Sequence, residues 1–193
     1  FGKNQRYGFF PSASLGWRFT GERFMADQNI ISDGKLRISA GRTGNESIGD
    51  YTAQGQFLVG TNYLNNSGAA PTITSNADLT WETTTEYDVG LDLSFLNHRI
   101  EVAVDVYLKK TSGLLFNVPV PLTTGFESVT QNVGNIENRG IEGSFVSRNV
   151  VGEFQWNTSF NISTNRNRIT SLPSELLTNG YIQNGPYHIL QVG

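Results

Sequence analysis

Four carboxylates fall close together in the middle of the chain: Asp88, Asp92, Glu101 and Asp105. Two that faced each other could serve as general acid and base, and several gathered in one loop could hold calcium. The spacing favours neither. Each lies in a stretch that alternates polar and apolar residues, "EYDVGLDLSF" or "HRIEVAVDVYLKK", and no calcium-loop pattern accompanies them. The two histidines, His98 and His188, have no Ser or Asp at a triad spacing and read as turn and tail residues. "GRTGN" at 41–45 is glycine-rich but lacks the Lys-Ser/Thr of a phosphate loop. Sequons at Asn157 and Asn161 fall inside a strand-like run and are set aside. With no Cys, thiol catalysis, disulfides and Cys-ligated zinc drop out. No catalytic set, metal or cofactor is implied, so the chain is not expected to be an enzyme.

What positions these side chains is a set of strands. Six runs show a period of two. They are "YGFFPSASLGWRFT", "GKLRISAG", "TEYDVGLDLSF", "HRIEVAVDVYLKK", "NRGIEGSFVS" and "EFQWNTSFNIST". In the fourth, Ile100, Val102, Val104, Val106 and Leu108 share one face, while Glu101, Asp105 and Tyr107 share the other. A two-residue turn at Asn97-His98 makes paired positions of the third and fourth runs sum to 195. Leu91 then meets Val104 and Val89 meets Val106, whereas Asp92 meets Ala103 and Asp105 meets Gly90. A slip of one residue would spoil both faces. The carboxylates therefore stagger along one polar face.

Connection lengths alternate. Short turns fall at Asn97-His98 and near Asn149; long loops span roughly 45–81 and 114–133, and a long tail follows Asn165. "NVPVPLTTGF" has Pro119 and Pro121 two apart and is expected as loop, because proline cannot serve a central ladder. The polar faces carry Asn, Ser, Gly and Asp more than the Lys and Glu of ordinary soluble sheets. Aromatic residues gather near strand ends. Two architectures satisfy this pattern: a membrane barrel, apolar face to lipid and polar face to a wet lumen, or a soluble sandwich such as a carbohydrate-binding module.

Composition narrows the classes. The chain has 193 residues, 37% hydrophobic and 16% charged, with a net charge of -3. No run of like charges suggests a nucleic-acid partner. No apolar run is long enough for a transmembrane helix, which leaves barrel strands untouched.

The run "DLTWETTTEYDVGLDLSFLNHRIEVAVDVYLKK", with its continuation to "NRGIEGSF", resembles the barrel of SusC/RagA-type TonB-dependent outer-membrane transporters of Bacteroidetes. "RYGFFPSASLGWRF", "ISDGKLRISAGRTGNESIGDY" and "WNTSFNISTNRNRI" share the resemblance, which spans about Tyr7 to Leu172. It implies an all-β fold, an antiparallel meander of about six strands from the later part of a 22-stranded transmembrane β-barrel. Residues 1–193 would be a partial barrel domain without plug, TonB box or closing strand. It further implies a bacterial outer-membrane location, import of oligosaccharides or peptides, a SusD-like surface lipoprotein as lid, and TonB contact through a missing N-terminal part. On that reading Asp88, Asp92, Glu101, Asp105, Tyr107, Asn157 and Asn161 face the lumen. Phe116, Pro119, Pro121 and Phe126 belong to an extracellular loop.

Overall fold

In a computed structural model, residues 2, 5–63, 66–126, 128–173, 177, 181–184 and 188–193 are described. Their strands, in chain order, are β1 (Ser12–Arg18), β2 (Ile31–Asn45), β3 (Gln56–Tyr63), β4 (Asn66–Ile73), β5 (Glu82–Phe95) and β6 (Ile100–Ser112). There follow β7 (Leu115–Pro119), β8 (Ser128–Asn132), β9 (Asn135–Val150), β10 (Trp156–Ser171), β11 (Tyr181–Asn184) and β12 (His188–Gln191). Six of them form one antiparallel sheet in the order β1-β2-β5-β6-β9-β10. These are the six expected runs, in chain order. The remaining strands form three hairpins, β3–β4, β7–β8 and β11–β12.

The register of β5 on β6 is the one the alternation demands, with Leu91 opposite Val104 and Asp105 opposite Gly90. Because paired residues share a face, the pattern carries across the sheet. On one side lie Leu15, Ile38, Val89, Val106, Ile141 and their neighbours; on the other lie Ser39, Asp88, Tyr107 and Gly140. From Tyr87 to Phe95 the apolar side runs nine residues along β5, about 26 Å at ~3.3 Å per residue. Tilted as barrel strands are, that length gives a band about 20 Å tall, near the apolar belt of an outer-membrane barrel.

Among the described residues, this apolar side covers nothing. Val89 is 47% exposed, Val106 49%, Ile141 50% and Phe160 58%. The buried apolar residues among those described are Ala53, Leu79, Val118 and Ile182, and none belongs to the six-stranded sheet. A sandwich would lay a second sheet over this face. Among the described residues there is none, and the exposed apolar side chains form one continuous face of the kind that marks an interaction surface. Among the described residues no helix is long and apolar enough to cross a membrane, which says nothing of strands.

Several expectations need correction. The β5–β6 turn is four residues, 96–99, and Leu96, Asn97 and His98 all have left-handed backbones (φ 51°, 55° and 61°). The loop stays centred on 97/98, so the register survives the longer turn. Ser32 Oγ accepts from the Asn97 N–H (2.7 Å), and the Arg99 N–H donates to the Phe95 carbonyl (3.0 Å), holding this unusual path. Leu96 lacks the side-chain hydrogen bonding that lets Asn tolerate this region. Leu96→Gly is therefore expected to raise stability by about 1 kcal/mol, read as a higher urea midpoint of the full-length protein.

The long connections are not plain loops. Residues 46–81 contain β3–β4, residues 113–134 contain β7–β8, and the tail after Asn165 continues β10 to Ser171 before β11–β12. His188 thus lies in β12, opposite Asn184, and not in a loop. "NVPVP" is partly strand as well. Phe116 and Pro119 are in β7, opposite Gln131 and Ser128. The proline rule holds, since Pro119 ends a strand of an isolated ribbon and never interrupts the main sheet. Asn132 ties this region together, accepting from the Thr80 N–H (2.8 Å) and donating to the Thr80 and Gly113 carbonyls (2.7 and 3.1 Å). All three hairpins spring from the same end of the sheet. The opposite end has the segments 19–30, 96–99 and 151–155.

Candidate functional site

The polar face of the sheet is the candidate site, and its geometry centres on Arg37. β2 places Arg37 opposite Gly90 of β5, which in turn faces Asp105 of β6. Arg37 grips Asp92 with two bonds, Nε to Oδ2 (2.8 Å) and Nη2 to Oδ1 (2.9 Å). The same Nη2 reaches across to Asp105 Oδ1 (2.8 Å). One guanidinium thereby joins three strands, and its planar fork suits that geometry better than a lysine would. The bridge exists because Gly90, directly between Arg37 and Asp105, has no side chain. A Cβ there would overlap both the carboxylate and the guanidinium.

Around this bridge the same face carries further pairs. Arg18 bonds Asp33 (2.6 Å), which also accepts from Thr20 Oγ1 (3.0 Å). Lys109 approaches Glu86 (3.2 Å) and Arg148 approaches Glu101 (3.4 Å). These pairs are partly exposed, and each is worth at most about 1 kcal/mol. What they accomplish is positional. They fix the long side chains along a wall whose charges are largely matched to one another.

The seven residues expected to face the lumen all lie on this one face. Asp88 is opposite Ser39 and Tyr107, and Asp92 and Asp105 hold Arg37. Tyr107 lies against Gly140, where a Cβ would run into its ring. Glu101 pairs with Arg148, Asn161 faces Ser144, and Asn157 faces Arg148. Asp92 and Asp105 never meet as an acid–base pair, since each is engaged by the same cation.

The loop candidates divide. Phe116 lines a groove with Ile48, Thr52, Asn117 and Thr130. Pro121 precedes a single 3-10 turn and accepts from the Thr124 N–H (2.9 Å), and the Phe126 N–H donates to Thr124 Oγ1 (3.3 Å).

Arg37 is the residue that sequence reasoning missed. Its parity on the second run puts it on the polar face, but its partners emerge only when that run is set against the third. The signal was the lone glycine, Gly90, in an otherwise regular strand, a mark of close approach.

Comparison with known proteins agrees with this geometry. The family described as TonB dependent receptor-like, beta-barrel matches residues 1–193. The TonB-dependent receptor P39 of Formosa agariphila is 42% identical over 185 residues, 94% of this chain and 18% of that protein. The TonB-dependent receptor SusC of Bacteroides thetaiotaomicron is 39% identical over 197 residues, 96% of this chain and 19% of that protein. The solved RagAB peptide transporter superposes with a TM-score of 0.86 at 31% identity, covering 100% of this chain and 21% of the solved one. The chain thus spans about a fifth of the length of the proteins it matches.

Proposed function

The chain belongs to the TonB-dependent receptor-like β-barrel family, and from that premise we propose that residues 1–193 are barrel wall and extracellular hairpins of an outer-membrane importer. The observation that carries this reading is the uncovered apolar side of a single sheet backed by a polar side rich in paired charge. Lipid covers the first and a wet lumen meets the second. The hairpin end points outward and the short-turn end faces the periplasm, as in other barrels of this kind. The cargo is an oligosaccharide or a peptide, bound above a plug and closed in by a surface lipoprotein of the SusD kind, with TonB driving release. The likeness to RagAB, itself a peptide transporter, supports the peptide side of that pair. Within this segment the wall residues position cargo or plug, and none performs chemistry.

The test is the parent polypeptide, expressed at native level in its own host. The expected result is a detergent-requiring outer-membrane protein of about five times this length that co-purifies with a lipoprotein. Deletion of its gene abolishes uptake of one glycan or peptide class. A parent polypeptide released intact by osmotic shock, with no need of detergent, would refute the reading.

A further inference from the structure

Charges on the outward, apolar side of the sheet are confined to the hairpin end and are nearly all positive. Arg139 of β9 directly faces Arg166 of β10 on that side, two residues along the strands from Lys110, Glu137 and Arg168, which line up as the next row of that side. Arg42 occupies the same row on β2, beyond Thr85. Glu137 is the acid of this group, and Lys110 approaches it at 3.8 Å. Among the described residues, Arg42, Arg139, Arg166 and Arg168 have no ion-pair partner, and all four are exposed. Like charges directly opposite each other on a ladder are destabilising, and two arginines face to face stand about 5 Å apart at Cβ. Below them the side is uncharged: Val106, Ile141, Val104, Phe145 and Phe160 follow in sequence toward the short-turn end.

We propose that Arg139 and Arg166, flanked by Lys110 and Arg168, bind an uncapped phosphate monoester on an outer-leaflet lipid whose acyl chains lie against the apolar band. This rests on the membrane reading above. Two guanidiniums at one cross-strand pair can converge on one phosphate from both sides, each with forked donors. The repulsion between them becomes attraction to a common anion. Continuity with the apolar band selects a lipid over a free ion, because the head group is delivered to the arginines at the height where the band ends.

The experiment uses the full-length protein in dodecyl maltoside micelles doped with phosphatidic acid, with phosphatidylcholine, or with neither plus inorganic phosphate. Arg139→Gln/Arg166→Gln is compared with wild type, and Arg139→Gln alone serves as a milder variant. In undoped micelles the double variant is expected to melt no lower than wild type, since a like-charge contact is gone. With phosphatidic acid the order reverses, and retention of that lipid in native mass spectrometry falls about tenfold or more. Wild-type retention in both variants would overturn the proposal. So would equal stabilisation by phosphatidylcholine or by inorganic phosphate. Failure of the membrane reading itself shows separately, as a chain that stays monodisperse without detergent.

Discussion

Val104→Arg in the full-length protein lowers its folding free energy in lipid bilayers by about 2–4 kcal/mol. Val104 stands mid-band, between Leu91 and Gly143 on the outward side, and is 38% exposed, with no protein layer over it among the described residues. An arginine there must sit in hydrocarbon or drag water and head groups inward. The depth dependence makes the result specific. Leu108→Arg, in the last row before Lys110 and opposite Arg139, can reach the interface and costs about 1.5 kcal/mol or less, the like-charge contact with Arg139 included. Ala103→Arg, one residue from Val104 but on the polar side opposite Asp92 and Ser144, gains a nearby carboxylate and stays within about 0.5 kcal/mol of wild type. Urea titration of refolding into liposomes, read by heat-modifiable gel mobility, gives all three. Equal penalties at positions 104 and 108 would mean a protein layer covers the band, because a packed core does not grade its penalty by membrane depth.

The strands and their faces were legible because alternation reports which environment each side chain meets. The β5–β6 register followed from one constraint, apolar against apolar, and the structure keeps it through a turn twice as long as expected. Strand ends were less legible. β2, β9 and β10 run several residues past the expected runs on the hairpin side, through Arg42–Asn45, Asn135–Glu137 and Asn165–Ser171. There the outward side has left the apolar band and both faces carry polar residues, so alternation fades while backbone pairing continues. The hairpins β3–β4 and β7–β8 were missed for the same reason, since two-stranded ribbons in solvent need no apolar face to define them. At the polar site, composition identified the acids because carboxylates are conspicuous. It passed over Arg37, whose role depends on which residue lies across the ladder from it.

That dependence gives the second large expected effect. Gly90→Val destabilises the full-length protein by about 1–3 kcal/mol, although valine favours strands and glycine does not. The loss comes from overpacking: the new side chain occupies the space through which Arg37 reaches Asp105. Gly41→Ala on the same face is the contrast. A Cβ there meets only Ser12 Cβ at 3.4 Å, so the variant gains a few tenths of a kcal/mol from reduced unfolded-state freedom. A double-mutant cycle isolates the cause. Arg37→Met alone leaves Asp92 and Asp105 without their shared cation and costs about 1–2 kcal/mol, modest because the group is half-exposed. Once Arg37 is gone, valine at 90 no longer displaces a guanidinium. The pair should then cost less than the sum of its parts by about 1 kcal/mol. Strict additivity would mean that the glycine serves some other need of the strand, and that the three-strand bridge is incidental to it.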